Sequence, residues 1–294
     1  MRAQKQAYIY ALSTVLLWST VATAFKLSLR YLDIFQLLFY AAFSSTIVLA
    51  LILVILGRFH LIFTCTKQQY AQSIILGLMN PFVYYLILFK AYDLLPAQEA
   101  QPLNYTWAIT LSLLSIPLLK QKISRWDLFG GAVSYMGVVV ISTHGNILSF
   151  QFSNPTGVAL ALLSTVLWSL YWIYNIRDTR NPVVSLFLNF AFSLPVILIT
   201  CMLFSDLSIH NNYGLYGAIY IGLIEMGITF VLWLSALKHA ENTARVGNLI
   251  FLSPFLSLLF IHILVGETIL PSTFTGLIFI ILGLLLQQRK TKSG

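Results

Sequence analysis

From Leu37 to Leu56 the chain runs for twenty residues without one charged side chain, and Phe274 to Leu286 is a second continuous apolar run. Coiled as an α-helix, about 20 residues span the hydrocarbon core of a bilayer. In lipid each backbone N–H and C=O needs a partner within the chain, so only helices and closed barrels can cross. Barrel strands would alternate apolar and polar residues over segments of about ten. These runs do not alternate, and they select the helix.

Only 9% of residues are charged, against roughly 25% in soluble domains. With 59% hydrophobic residues and a mean hydropathy of +0.85, the chain has too little charge to cover a soluble surface. The net charge of +8 does not point to nucleic acid, because the basic residues sit in short connections and form no separate patch. Cys65 and Cys201 are too far apart in sequence for a metal or redox motif. The histidines His60, His144, His210, His239 and His262 are scattered, and there is no phosphate-binding glycine loop or nucleophile elbow. No catalytic residue, metal site or cofactor is therefore expected.

Ten segments read as spans: 7–26, 33–56, 71–91, 97–119, 127–143, 156–175, 182–205, 213–237, 243–265 and 271–288. The start of the first resembles a signal peptide, with Ala22-Thr23-Ala24 as a cleavage site, but a similar segment recurs in mid-chain, where cleavage makes no sense. Ten spans put both ends on one side. Fourteen of the seventeen basic residues fall on that side, and only Lys26, Arg30 and Lys90 fall on the other. Cytoplasmic loops carry the excess of Lys and Arg, so a multi-pass protein of the bacterial inner membrane with both termini cytoplasmic is expected.

The chain also repeats itself. Leu12-Ser13-Thr14-Val15 and Trp18-Ser19 return as Leu163-Ser164-Thr165-Val166 and Trp168-Ser169. Gly130 and Gly137 return as Gly276 and Gly283, both at an offset of 146. Small residues so spaced let helix backbones approach closely. Two repeats of five spans, over residues 1–148 and 149–294, must enter the membrane from opposite sides. The expected fold is an all-α membrane protein of ten transmembrane helices arranged as two inverted five-helix repeats, an arrangement that recurs in secondary transporters with a site near the midplane.

These features together resemble the EamA family of the drug/metabolite transporter superfamily. Pro254, then Gly266-Glu267, then Gly276 is similar to that family's proline, Gly-Glu and Gly-rich helix. The first half departs from the pattern, with Ala108 at the place of Pro254 and Lys120-Gln121 at the place of Gly266-Glu267. Asn104-Tyr105-Thr106-Trp107 is similar to the amino-acid exporters of the family, including those for aromatic amino acids. The resemblance implies two bundled halves around a central cavity that takes amino acids, their derivatives or other small amphipathic metabolites.

Polar groups inside spans are costly and are functional candidates by default. Glu225 lies near the middle of span 8 with no basic residue within a turn. Ionised, it needs water, a partner or a cationic substrate; protonated, as burial favours, it bonds a neighbouring helix. An offset of 145 aligns Ala91 with Ala236 and sets Asn80 opposite Glu225. Pro81 removes a backbone hydrogen bond beside Asn80 and kinks the helix. Asn80 and Glu225 are expected to face one central space, with Tyr84 and Thr229 one turn further along the same faces. Glu99, near the start of span 4, is either functional or an end-of-helix carboxylate favoured by the helix N-terminus; Asn104 and Trp107 follow it. Trp18, Trp168 and Tyr171 mark the opening helices of the two halves; they either line a cavity that suits apolar or aromatic solutes, with ring faces that attract ammonium groups, or pack between helices or join the interfacial aromatic belt. Lys26 and Lys90, at the outer ends of spans 1 and 3, either attract a carboxylate or snorkel.

The predicted function is a secondary transporter that exports small metabolites such as amino acids by alternating access. An importer or exchanger is the alternative, and a non-transporting membrane sensor or membrane enzyme the second. The expected partners are a small-molecule substrate and the lipid bilayer, not nucleic acid, and the bundle is complete as a monomer or weak homo-oligomer.

Overall fold

In the computed structural model, residues 2–119, 125–147, 154–239 and 252–287 are described, and all regular structure among them is helical. Lys120, Gln121, Lys122, Arg245, Arg289, Lys290, Lys292, the 148/149 boundary and the start of the ninth segment lie outside these residues. The helices are α1 (Arg2–Trp18), α2 (Val21–Ser28), α3 (Ile34–Ile55), α4 (Lys67–Gly77), α5 (Tyr84–Leu94), α6 (Ala97–Tyr105), α7 (Trp107–Leu119), α8 (Arg125–Ser142), α9 (Pro155–Arg177), α10 (Pro182–Phe204), α11 (Asn212–Tyr220), α12 (Thr229–His239), α13 (Leu252–Phe260) and α14 (Pro271–Gln287).

Short polar residues before the apolar runs start the long helices. Asp33 accepts from Phe35 N at 2.7 Å and Gln36 N at 3.0 Å, and Gln36 closes the capping box on α3. Thr66 and Gln69 do the same for α4. Asn154, Asn181 and Asn211 cap α9, α10 and α11, the first two followed by proline. Such caps satisfy backbone donors that a helix start leaves free.

Six stretches are long and apolar enough to cross a membrane: Lys5–Ser28, Ile34–Ile55, Lys67–Leu94, Pro155–Arg177, Pro182–Phe204 and Asn212–His239. Phe129–Ser142, Ser253–Val265 and Pro271–Gly283 are shorter apolar helices. The protein is therefore a multi-pass helical membrane protein. Segment 97–119 is two helices joined at Thr106, whose hydroxyl donates to Leu103 O at 2.7 Å. Segment 7–26 turns at Ser19–Thr20, where both hydroxyls donate to carbonyls three residues back. Side chains that bond back to the helix in this way bend it.

Lys67–Leu94 and Asn212–His239 each contain a π-helical stretch, Leu78–Val83 and Ile221–Ile228. In the first, Asn80 leaves helical geometry (φ −150°, ψ 118°) just before Pro81, as the proline predicts. Gly77 and Gly222 stand just before or inside these stretches. A methyl on Gly77 would overlap Asn189 O of α10, and one on Gly222 would overlap Ala41 O of α3.

The main pairings are α8 with α14, α3 with α10, α1 with α12 and α5 with α9. Along α8 and α14, Gly137 and Gly276 lie so close that a Cβ on either would meet the other's carbonyl oxygen, and Gly283 similarly abuts Gly130 and Ser134. Ser134 Oγ donates to Ile280 O at 3.0 Å across the same seam. At one end of the bundle the α9–α10 turn is pinned by a buried ion pair. Arg180 grips Asp178 through Nε and Nη2, and its Nη1 donates to Ser73 of α4 at 2.9 Å. Lys238 of α12 donates to Asp178 O at 2.9 Å.

Candidate functional site

At the centre of the bundle, residues of α1, α2, α5, α6, α7, α9 and the Ile221–Ile228 stretch line a cavity of about 30 Å³, room for a water or two. Its aliphatic lining is Val21, Ala22 and Leu88, and its rings are Trp18, Phe25, Tyr84, Tyr92, Tyr105, Trp107 and Trp168. Gln101, Asn104 and Glu225 supply the polar groups.

Rings close the cavity at two levels. Trp18 contacts Trp168 (5.9 Å between centroids) and Trp233 (5.3 Å), and Trp107 contacts both of those partners. Seven residues along from Trp18, nearer the α2–α3 connection, Phe25 packs on Phe89 (5.0 Å), Tyr92 (5.2 Å) and Tyr85 (6.4 Å). Edge-to-face contacts of this kind add roughly 0.5–1.5 kcal/mol each beyond area burial.

Glu225 lies between the levels, 5% exposed. Its Oε1 accepts from Tyr85 OH at 2.9 Å, while Oε2 is buried with no partner. The Trp18 indole faces the same carboxylate, but its Nε1 has no partner in hydrogen-bonding geometry. Trp168 Nε1 and Gln101 Oε1 are likewise buried and unpartnered. Asn104, by contrast, is held: its Nδ2 donates to Ser164 Oγ at 2.9 Å and approaches Tyr84 OH at 3.4 Å. Trp107 O accepts from Ser169 Oγ at 3.0 Å, and the hydroxyls of Thr110 and Thr165 meet at 2.9 Å. The Ser164-Thr165 and Ser169 elements of the sequence repeat thus tie α6 and α7 to α9.

Of the ten residues singled out from the sequence, Trp18, Tyr84, Asn104, Trp107, Trp168 and Glu225 come together around this cavity. The other four stand elsewhere. Asn80 is fully buried in the π-helical stretch before α5, with both amide atoms unpartnered. Thr229 turns its hydroxyl to the carbonyls of Ile224 and Glu225, inside its own helix. Tyr171 accepts from Asn189 Nδ2 at 3.3 Å and packs on Trp172 and Phe230. Glu99, buried near the start of α6, meets His144 Nε2 at 2.6 Å. Tyr85, Tyr92, Gln101 and Tyr105 were not singled out. An uncharged polar residue at the right helical phase from Asn104 was the one available signal, and only Gln101 carried it.

A second hollow, about 290 Å³, lies toward the α2–α3 end and is lined by Lys26, Leu29, Arg30, Asp93, Val265, Gly266 and Glu267. Lys26 Nζ donates to Tyr92 O at 2.6 Å and Arg30 Nη2 to Val265 O at 2.8 Å. Lys90 pairs with Asp93 at 2.6 Å. Gly266 takes a left-handed conformation (φ 82°), and Glu267 then accepts from Ala97 N at 2.8 Å and Gln98 N at 3.1 Å, capping α6 from across the bundle.

The EamA-like transporter family matches this chain over residues 5–143 and again over 155–287. An uncharacterized transporter of Clostridium kluyveri is 23% identical over 300 residues, covering 98% of this chain and 94% of its own. One from Archaeoglobus fulgidus is 25% identical over 283 residues, covering 94% and 96%. The aromatic amino acid exporter YddG of Ancylobacter novellus is 24% identical over 185 residues, 62% of this chain and 64% of the exporter. A solved crystal structure matches with a TM-score of 0.72 at 20% identity over 97% of both chains, so the fold is shared.

Proposed function

This chain belongs to the EamA-like transporter family, and we propose that it is a secondary transporter exporting a small amphipathic metabolite, an amino acid or a related compound, by alternating access. The observation that carries this reading is the central cavity, closed by rings at both levels, with an unpaired Glu225 oxygen between them. A buried carboxylate with one oxygen left without a partner is placed to meet a ligand or a proton. The kinship with an aromatic amino acid exporter supports the substrate class.

Ten spans in two inverted halves are part of the proposal. The family matches the chain twice, and the pairings support a two-fold relation. Closing helices α8 and α14 pack on each other, as do α3 and α10, while α1 with α12 exchanges with α5 with α9. Gly77 and Gly222 lie at the same offset of 145 as Asn80 and Glu225, and each receives a backbone carbonyl from the opposite half. The distribution of basic residues supports cytoplasmic termini in an inner membrane, so the hollow at Lys26 and Arg30 is the outer mouth. The bundle acts as a monomer or weak homo-oligomer.

The test is uptake of labelled amino acids and other small metabolites into proteoliposomes, with and without a pH gradient, for wild type and Glu225→Gln. Movement of a substrate that responds to the gradient only in wild type supports proton-linked carriage through Glu225. A response that survives the substitution removes Glu225 from coupling, and no movement of any solute sinks the carrier reading.

A further inference from the structure

The cavity reads as a site for one sign of charge. Among the described residues that line it there is a carboxylate and no Lys, Arg or His. Lys26, next in sequence to Phe25, is committed to Tyr92 O and lines the outer hollow instead. The buried polar atoms left without partners include two acceptors, Glu225 Oε2 and Gln101 Oε1. Leaving a buried acceptor unmet is costly, more so when it is charged, so a ligand that donates to both recovers that cost. The rest of the lining is mostly rings, whose faces attract cations and form cages for ammonium groups. A carboxylate brought into the same space would find indole N–H groups but no cationic side chain. It would also stand close to the carboxylate of Glu225, and like charges there disfavour each other.

Building on the carrier reading above, we infer that the site selects an organic cation with an aromatic or apolar body and no free carboxylate, its ammonium seated against Glu225 and Gln101 within the ring cage. Within the amino-acid-related class this means the amine rather than the zwitterion. Glu225 is then the specificity-determining residue, because it sets which charge the cavity accepts. With space for only a water or two, the closed cavity admits such a body only when the rings move aside.

Three probes that share one body separate the charges: tyramine, tyrosine and 3-(4-hydroxyphenyl)propionate, titrated calorimetrically into the purified full chain. Tyramine is expected to bind at least about tenfold tighter than tyrosine, and the propionate not at all, since a desolvated charge pair accounts for effects of that size. Glu225→Gln is expected to weaken tyramine at least about tenfold. Should that variant fail to fold, wild type alone decides: 2-(4-hydroxyphenyl)ethanol, which keeps the body and a hydrogen-bond donor but carries no charge, is expected not to displace tyramine. Tyrosine binding as tightly as tyramine, absence of tyramine binding, or displacement of tyramine by the uncharged alcohol overturns the inference. Uptake is read separately. Tyramine binding with no transport of any solute overturns the carrier reading and leaves the charge selection standing, whereas transport of amino acids without tyramine binding does the reverse.

Discussion

Glu225 and Glu267 are carboxylates from the same half of the chain, and the molecule treats them oppositely. Glu267 spends both oxygens on the first backbone N–H groups of α6, where the positive end of the helix dipole favours a negative charge. Glu225 sits deeper, takes one hydrogen bond from Tyr85, and leaves its second oxygen unpartnered in a cavity. Glu99 stands between these cases, buried but met by His144. The contrast teaches that a carboxylate in a membrane helix is not functional by location alone. What separates the two is whether the protein has used up its acceptors.

The contrast breaks most sharply at Glu225 itself. Glu225→Gln, whose amide oxygen still accepts from Tyr85, is expected to lower transport on the order of a hundredfold, about 3 kcal/mol, without lowering Tm. A large fall in Tm with transport per folded molecule intact would make Glu225 the structural member of the pair. Gly137→Leu calibrates a purely structural lesion: a side chain forced into the α8–α14 seam is expected to cost about 1–3 kcal/mol, seen as a lower Tm in detergent. Glu267→Ala removes a helix cap and is expected to cost about 1–2 kcal/mol in the same assay, leaving substrate affinity unchanged. A shift in affinity at that position would erase the distinction. The smallest effect is expected from Lys90→Ala, about 0.5 kcal/mol, because both members of the Lys90–Asp93 pair are half-exposed and such pairs are weak.

The helices and the closing seam were legible because apolar runs and recurring glycines are local facts. So was the kink before Pro81, since a proline removes a helix hydrogen bond wherever it falls. Tyr85 was not legible. Aromatics make up 14% of the chain, so a tyrosine in an apolar helix carries no mark until a carboxylate 140 positions away approaches it. The cap by Glu267 was hidden for the same reason, its partners being 170 and 169 residues distant. The break at Thr106 was missed because a threonine in an apolar run reads as helix. The chain turns there between two helices, with the Thr106 hydroxyl on Leu103 O.

The glycine seam also bears on how the molecule is made. α8 leaves the ribosome long before α14, and until α14 arrives its small-residue stripe lacks the helix it packs on. Backbone-to-backbone contact is the main attraction such a stripe offers, so assembly of this seam awaits late synthesis. A nascent chain halted before Pro271 should therefore expose α8 to proteases and quality control, and release from that surveillance should coincide with insertion of the final described helix.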